Sequence, residues 1–583
     1  MHLKGTAAAP GLAIGPCLVL DDIQHQDFTH QTISDELAEE EIGKVKATLS
    51  LAEEQLTMIR DRADNAGLAE QAAVMDAQLA MLDDPLLKES FVSAITSQKL
   101  PAAGAIQKGI AAQADIFESL DDAYFRERAQ DIRDIGRRLI NILLGVEEPN
   151  IGILPEPLIL IAHDITPSMM ALVDTKNLLG IVAEIGGKTS HTAILAKNMD
   201  IPAVLGCHDI VKTVRALGPT ATVAVDGSTG CVIVDLTDEE TIDLKAEADR
   251  RQAAKDALTM LRDQPTVTKD GVSIQLLANV MGPGDVDKVL AVGSEGVGLY
   301  RTEILFMDRN KAPDEEEQYK AYRTMIEGLG GKPVIIRTLD IGGDKSVDYL
   351  NIAKEENPFL GYRALRLCLD RDDLFLTQLR AILRAAVHGQ ALVMFPMVCS
   401  LEELRAAKSK VELAKEQLKL RGEAYDEKIA VGIMIEIPSA AVIADVLIRE
   451  ADFFSIGSND LTQYTLAVDR MNAKISYLYN SFHPAILRLL RLVIESVKPD
   501  DARKFVGMCG EMAGDPHATL VLLGLGLKEF SVDPANLLRI RKIINSVDFS
   551  YARSVAAKVL TLGSATEIEA YLAQALPEEL RQY

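Results

Sequence analysis

Phe453-Phe-Ser-Ile-Gly-Ser-Asn-Asp460 is a short apolar run that ends in a glycine and polar residues, a pattern typical of a strand followed by a helix. Seven comparable runs alternate with helical patterns from about residue 266 to the carboxyl terminus. The predicted strands cover residues 274–280, 296–300, 333–337, 391–395, 430–435, 452–456, 505–509 and 527–531. Eight such units predict a (β/α)8 barrel of the TIM type, and an open doubly wound sheet is the alternative.

An α/β domain is predicted before the barrel. Its strand-like runs are residues 17–20, 158–162, 179–183, 203–205, 222–225 and 231–234, separated by helical patterns. The domain would comprise residues 1–23 and 146–236, so that residues 24–145 form an insertion. Helical periodicity in that insertion, with blocks near 69–83, 85–98, 101–120 and 122–144, predicts a bundle of two helical hairpins. The charge-rich residues 237–265 are predicted to be a linker helix leading to the barrel domain, residues 266–583.

Composition excludes several classes of function. The formal net charge of −25 opposes binding to nucleic acid, whose phosphate backbone would be repelled. The six cysteines are dispersed without a CxxC pair, which argues against a structural zinc site and favours a reducing compartment. No apolar run is long enough to span a membrane, and the amino terminus lacks the apolar stretch of a secretory signal. These features predict a cytoplasmic protein.

One histidine lies in a segment suited to phosphoryl chemistry, Gly186-Gly-Lys-Thr-Ser-His-Thr-Ala-Ile-Leu-Ala-Lys197. Ser190 is a predicted N-cap, which places His191 in the first turn of a helix. The free N–H groups and the helix dipole favour an anion there, and a histidine can carry a phosphoryl group covalently. The alternative is a buried core histidine beside a glycine turn.

The predicted barrel collects polar residues at the carboxyl ends of its strands or in the connections that follow, where active sites of this fold lie. These candidates are Arg301, Arg337, Arg363, Glu436, Asn459, Asp460, Arg470 and Cys509. Each one alone could equally be a solvated charge or part of a structural ion pair. Their common position at one face of the barrel favours a shared site.

The chemistry of these candidates is mutually consistent. Arginines offer fixed donor forks for phosphate and carboxylate oxygens. Glu436 and Asp460 supply two hard oxygen ligands of the kind that Mg²⁺ prefers. Cys509 has a thiol that is mostly protonated at neutral pH and can act as a proton donor, although a small buried apolar side chain is the alternative interpretation.

Several long motifs in this order resemble Enzyme I of the bacterial phosphotransferase system, the phosphoenolpyruvate–protein phosphotransferases. The resemblance covers nearly the whole chain. The motifs are Gly186–Ala196, Leu299-Tyr-Arg-Thr-Glu303, Leu305-Phe-Met-Asp-Arg309, Arg337-Thr-Leu-Asp-Ile-Gly-Gly-Asp-Lys345, Glu355-Glu-Asn-Pro-Phe-Leu-Gly-Tyr-Arg363, Phe453–Tyr464, Ala467-Val-Asp-Arg470 and Gly507-Met-Cys-Gly-Glu511.

The resemblance implies specific roles for the candidates. It implies that His191 is the phosphorylated nucleophile and Cys509 the proton donor, and that Glu436 and Asp460 bind Mg²⁺. The substrate phosphoenolpyruvate would be bound by Arg301, Arg337, Asn459, Asp460 and Arg470, with Arg363 nearby. It further implies a small histidine-containing phosphocarrier protein, HPr, as the acceptor that docks on the helical insertion. The resemblance also implies a homodimer formed through the barrel. The expected reaction releases pyruvate and is the first step of sugar uptake.

Some positions depart from the family pattern. Ile437 follows Glu436 where a threonine is common, and Met170 replaces a threonine expected to contact the histidine. Residues Glu70–Asp84 also differ from the usual carrier-docking pattern. A dikinase or phosphoenolpyruvate synthase is the alternative enzyme, although the chain has no segment suited to a nucleotide-binding domain. A catalytically idle scaffold that binds a carrier protein is the alternative from another class.

Overall fold

The structure is a computed structural model of the 583-residue chain. It describes every residue except 21–26, 66–68, 119–122, 146–150, 152–153, 155, 166–168, 171–172, 174, 188–189, 200, 219–220, 308, 344–346, 351, 354, 473, 499–503 and 582–583. The chain divides into two compact units. We call Met1–Gln252 the amino-terminal unit and Ala253–Tyr583 the barrel unit.

The amino-terminal unit contains an eight-stranded mixed sheet with the strand order β1-β8-β7-β3-β4-β5-β6-β2. Its strands are β1 (His2–Lys4), β2 (Thr6–Ala9), β3 (Leu12–Val19), β4 (Leu158–Ala162), β5 (Leu178–Ala183), β6 (Ala203–Leu205), β7 (Thr222–Asp226) and β8 (Cys231–Val234). The five strands predicted after residue 150 are confirmed to within about one residue. The prediction of one strand at 17–20 was wrong in extent, because β3 begins at Leu12 and two further short strands precede it.

Helices fill the interval between β3 and β4, which are neighbours with parallel pairing. They are α1 (Ala38–Asn65), α2 (Ala69–Leu82), α3 (Pro85–Gln98), α4 (Ala102–Glu118) and α5 (Ala123–Leu144). Their buried apolar residues, such as Leu56, Phe91 and Ile106, form one core between these helices. The predicted helical insertion within an α/β sheet is therefore confirmed.

The described part of the amino-terminal unit and its exit also contains the helices α6 (His191–Asn198), α7 (Ile210–Leu217) and α8 (Asp238–Thr259). The charged helix α8 begins where Thr237 accepts a hydrogen bond of 3.2 Å from the amide of Glu240, and Glu240 accepts one of 2.9 Å from the amide of Thr237. This helix occupies most of the segment predicted as a linker.

The barrel unit holds eight parallel strands that close on themselves, since β16 pairs with β9. The strands are β9 (Gln275–Val280), β10 (Val297–Arg301), β11 (Val334–Arg337), β12 (Ala391–Phe395), β13 (Ala430–Ile435), β14 (Phe453–Ile456), β15 (Phe505–Met508) and β16 (Glu529–Val532). The predicted barrel is confirmed, and the alternative of an open sheet is wrong. Arg301 ends its strand rather than following it, and Cys509 follows β15 by one residue.

The barrel strands are almost continuously buried because their outer face packs on helices and their inner face fills the barrel. Inner residues such as Leu299, Met394 and Phe453 form an apolar layer that includes Cys509. The surrounding helices are α9 (Val286–Ala291), α10 (Glu315–Gly328), α11 (Leu365–Asp370), α12 (Asp372–Ala385), α13 (Leu401–Arg421), α14 (Pro438–Val442), α15 (Ala444–Leu447), α16 (Ser458–Leu466), α17 (Pro484–Ser496), α18 (Pro516–Leu525), α19 (Pro534–Asn545), α20 (Phe549–Val559) and α21 (Ala565–Ala575). The apolar layer of inner residues lies beneath the carboxyl ends of the strands.

Within the ranges that the structure describes, none of the helices combines the length and the hydropathy needed to cross a membrane.

Candidate active site

The segment that carries His191 folds as the sequence predicts. Ser190 is the N-cap of α6, and its Oγ accepts a hydrogen bond of 3.3 Å from the amide of Ala193 while donating one of 2.9 Å to the carbonyl of Gly187. His191 is consequently the first residue of the helix. Lys188 and Thr189 of the same segment lie outside the described residues. The N-cap places His191 at the positive end of the helix dipole, where an anionic group such as phosphate is favoured.

Substituting Ser190 by alanine removes the N-cap and leaves the amide of Ala193 without this acceptor. We expect the variant to lose about 1 kcal/mol of unfolding free energy, measured by urea unfolding followed by circular dichroism. Ser93→Ala is the matched control, because Ser93 is exposed within helix α3 and alanine favours a helix interior. Equal losses in the two variants would contradict the capping role.

The core below this helix is apolar. Met170 is 1% exposed and belongs to the apolar cluster on which α6 packs, so position 170 contributes packing rather than a polar group. Thr192 is also buried and donates a hydrogen bond of 2.7 Å to the carbonyl of Ile165. This bond ties the first turn of α6 to the loop after β4. Residues 166–168, which lie shortly before Met170, are outside the described residues.

Arg337, the last residue of β11, lies between two carboxylates. Its Nη2 donates a hydrogen bond of 2.7 Å to Glu303 Oε1, and its Nη1 lies 3.0 Å from Asp340 Oδ2. All three side chains are buried. Burial opposes the charged guanidinium, but Asp340 and Glu303 outweigh that effect and raise the pKa of Arg337 above its ordinary value. Arg337 is thus a permanently charged group held in a fixed orientation.

Arg363 is a second buried guanidinium, and it shares Asp340 with Arg337. Its Nη2 donates a hydrogen bond of 2.9 Å to Asp340 Oδ1 and lies 3.5 Å from Asp460 Oδ2. Its Nη1 donates one of 3.3 Å to the hydroxyl of Tyr464. Asp340 therefore bridges the two guanidinium groups through its two oxygens. Within the described part of the chain, the Nε donors of both arginines have no hydrogen-bond partner. Each arginine therefore has one N–H group available to a ligand.

The turn after β14 contributes an acid and an amide to the same region. Asp460 is buried, and its Oδ1 accepts a hydrogen bond of 2.7 Å from Arg470 Nη1. Asn459 is held from the other side, because its amide donates a hydrogen bond of 2.8 Å to Glu511 and its oxygen accepts one of 2.9 Å from the amide of Glu511. The loop after β15 thus orients Asn459.

Glu436 follows β13 directly and is buried beside the other acids. Its Oε1 accepts a hydrogen bond of 2.6 Å from the amide of Met397. Burial raises the pKa of Glu436 above its ordinary value, and the neighbouring Asp460 and Asp340 act in the same direction while Arg337 and Arg363 oppose them. The crowding of carboxylates around Glu436 is the kind of environment that an added cation would relieve.

The donor set of Glu436 and Asp460 fits a magnesium ion in its chemistry. Both are carboxylates, and they follow the neighbouring strands β13 and β14, which are paired. In the described ranges, no group of three or more histidine, cysteine or acidic side chains is arranged to hold a metal ion. A magnesium ion held by these two carboxylates would complete its shell with water and substrate oxygens, as this ion commonly does.

The thiol of Cys509 lies beneath this polar layer, 3% exposed. It donates a weak hydrogen bond of 3.8 Å to the carbonyl of Ile456. Burial raises the pKa of Cys509 to about 11, although Ser455 and the nearby Arg337 act in the opposite direction. The thiol therefore remains protonated throughout the neutral range.

Arg301 stands opposite Arg337 in the register of the barrel sheet. It is half-buried, and no hydrogen bond or ion pair of its side chain occurs among the residues that the structure describes. This guanidinium differs from Arg337 and Arg363, whose charge is already balanced by carboxylates. It leaves an unbalanced positive charge at the carboxyl end of β10.

The structure thus brings together the eight residues that the sequence predicts for the barrel site. Sequence reasoning missed Glu303, Asp340 and Tyr464, which fix the arginines in place. All three lie within the motifs quoted above, and Asp340 follows Arg337 by three residues. That local spacing was the signal that could have identified Asp340. Ile437, the departure beside Glu436, is half-buried and packs against the apolar core.

Comparison with known families agrees with this geometry. The amino-terminal region of phosphoenolpyruvate-utilising enzymes matches residues 4–128, their mobile domain matches 154–230, and their phosphoenolpyruvate-binding domain matches 255–549. The last range contains the barrel, with its arginines and carboxylates at one end. Fold and site together define a phosphoenolpyruvate-utilising enzyme.

Individual relatives narrow this class. Proteins described as phosphoenolpyruvate-protein phosphotransferase are 43% identical in Staphylococcus aureus, covering 97% of this chain and 98% of the relative, and 42% identical in Haemophilus influenzae, covering 99% of both. A third, from Streptococcus equinus, is 44% identical over 97% of both chains. The chain belongs to the family of phosphoenolpyruvate–protein phosphotransferases, or Enzyme I.

Proposed function

We propose that this chain transfers the phosphoryl group of phosphoenolpyruvate to His191 and then to a histidine of the phosphocarrier HPr, releasing pyruvate. The observation that carries the proposal is the pair of buried guanidinium groups, Arg337 and Arg363, bridged by Asp340 at the carboxyl ends of the barrel strands. Such a fixed pair suits a small substrate that carries both phosphate and carboxylate. This reaction is the first step of the sugar phosphotransferase system.

In this proposal the substrate is bound by Arg301, Arg337, Asn459, Asp460 and Arg470, with Arg363 nearby. Arg301 supplies a charge that forms no ion pair with the carboxylates the structure describes, and this guanidinium binds the phosphate in the proposal. Glu436 and Asp460 would hold Mg²⁺, which would supply positive charge to offset the charge of the transferred group. The crowding of carboxylates around Glu436 supports this cofactor.

The chemical step uses two residues from different units. An imidazole nitrogen of His191 attacks the phosphorus in line, and the bond from phosphorus to the enol oxygen breaks. The enolate that leaves takes a proton at carbon from the thiol of Cys509, which yields pyruvate and a thiolate. Solvent then restores the proton to Cys509. Arg301 and Arg337 stabilise the charge that develops on the transferred group.

In this proposal, each predicted domain has its own role in the reaction. Residues 1–23 and 146–236 form the phosphohistidine domain, residues 24–145 bind the carrier, residues 237–265 connect, and residues 266–583 bind phosphoenolpyruvate. Because donor and acceptor chemistry lie in separate parts of the chain, the phosphohistidine domain moves between barrel and carrier. We also propose a homodimer through the barrel. A cytoplasmic location is proposed as well, and the dispersed free cysteines support that location.

The test is incubation of the purified chain with Mg²⁺ and phosphoenolpyruvate that is radiolabelled on its phosphoryl group. We expect label at His191, located by peptide mass spectrometry, and its passage to added HPr. His191→Ala should abolish labelling, whereas His208→Ala should retain it, because His208 is an exposed histidine of the same domain. Label on another residue, or labelling by ATP in place of phosphoenolpyruvate, would contradict the proposal.

A further inference from the structure

Arg541 of helix α19 is a buried arginine outside the active site, and it binds the chain that leaves the linker helix. Its Nη1 donates hydrogen bonds of 3.1 Å to the carbonyl of Leu261 and 2.6 Å to that of Arg262. Its Nη2 donates one of 2.7 Å to the carbonyl of Gly293, and its Nε donates one of 3.1 Å to Thr266 Oγ1. A buried cation is costly unless its donors are satisfied, so these bonds hold the segment firmly.

The barrel is shaped to receive this segment. Gly293 has a φ of +62°, and a Cβ atom at that position would lie 1.9 Å from the carbonyl oxygen of Arg262. Only glycine permits this approach. Thr266, which accepts from Arg541, also donates a hydrogen bond of 3.0 Å to Glu295. The chain just beyond α8 is therefore seated in a site built by distant parts of the barrel unit.

The helix itself is tied to the amino-terminal unit at an earlier residue. Arg251 forms two hydrogen bonds with Asp226, the last residue of β7, at 3.4 Å and 3.3 Å. Its Nε donates a third bond of 2.9 Å to Glu247 on the same helix. Arg251 and Arg541 thus attach the linker to different units, and the residues between these two attachments are 252–260.

We propose that Arg541 is a positioning residue for phosphoryl transfer, because it anchors the barrel end of the linker and confines any pivot of the amino-terminal unit to the chain before Leu261. This inference rests on the proposed function, in which His191 must reach the barrel. A fixed anchor restricts the paths open to a moving domain, and reaction rates fall steeply when reacting atoms are misplaced by an ångström. Loosening the anchor should slow the approach of His191 without altering the barrel site.

The experiment uses the full-length chain with two substitutions that act on the anchor by different routes. Arg541→Met removes the donors, and Gly293→Ala pushes Arg262 away by steric conflict. Each should lower kcat for phosphorylation by phosphoenolpyruvate on the order of tenfold, while KM for phosphoenolpyruvate stays within about twofold. Exchange of the phosphoryl group between HPr and His191 should be unchanged, because it needs only the amino-terminal unit.

Hydrogen–deuterium exchange of residues 258–265 provides a readout that does not depend on activity, and it should accelerate in both anchor variants. Lys542→Met is the matched control, because it removes a neighbouring charge on α19 without touching the linker. Unchanged kcat in both anchor variants would overturn the inference, as would an equal loss in the control or a large rise in KM. A wild-type chain that is never phosphorylated at His191 would instead refute the proposed function and leave the exchange result standing.

Discussion

The Cys509→Ala variant should form pyruvate about 10²- to 10⁴-fold more slowly than the wild-type chain, which is the usual contribution of a positioned general acid. Alanine fills most of the same apolar site but carries no proton. Exchange of the phosphoryl group between His191 and HPr should be retained, since in the proposed function it requires only the amino-terminal unit. Pyruvate release coupled to lactate dehydrogenase measures the first rate, and label exchange measures the second.

The pH dependence of this step follows from the burial of the thiol. Because the pKa of Cys509 is raised to about 11, the proton donor stays loaded from pH 6 to pH 9, and pyruvate formation should not decline through thiol ionisation in that interval. Cys207→Ala is the matched control, because the Cys207 thiol is also buried with a pKa raised to about 11 but lies in the amino-terminal unit. Unchanged pyruvate turnover in Cys509→Ala would refute the role of Cys509.

The Arg337→Met variant should lose phosphoenolpyruvate-dependent phosphorylation by about 10³-fold or more, because the proposed mechanism uses Arg337 as a fixed donor to the transferred group. It should also destabilise the barrel by about 3–5 kcal/mol, since Glu303 would remain buried without this cation and Asp340 would keep only Arg363 of the two arginines that it bridges. Initial rates of phosphoryl transfer and urea unfolding followed by tyrosine fluorescence measure the two effects separately.

Arg323→Met is the control for charge removal in the same unit. Arg323 pairs with Glu327 at 2.9 Å on the surface of α10, where an ion pair contributes about 0–1 kcal/mol. The control should therefore retain both activity and stability. Arg337→Lys is informative as well, because lysine keeps the charge but cannot span two carboxylates. Full activity in Arg337→Lys would contradict the importance of the guanidinium fork.

Most strands could be predicted because their signal is local. The run Ala430–Ile435 is apolar throughout, as expected for a strand buried on both faces, and its bounds agree with the prediction. The strands β1 and β2 were missed because each contains only a few residues of little apolar character. They are held by antiparallel pairing with β8 and β6, more than 190 residues away in sequence, which local pattern does not encode.

The same limit applies to the active site. Contacts between residues adjacent in sequence could be predicted, and contacts between distant residues could not. The N-cap at Ser190 was predicted because cap and helix are adjacent in sequence. The partners of the arginines were not, because Asp340 and Asp460 meet at Arg363 only after the barrel closes. A sequence pattern also cannot distinguish the balanced charge of Arg337 from the unbalanced charge of Arg301. That distinction depends on which acids lie within ion-pair distance in space.

In the described part of the chain, the helices of the insertion occupy the place of a crossover connection, because β3 and β4 are parallel neighbours and such pairs need a link of at least a dozen residues. In other α/β folds a single helix performs this task. The inserted helices have a core of their own, whereas α6 packs on a separate core. The surface of the insertion can therefore be altered for a different protein partner without any change to the residues that support His191.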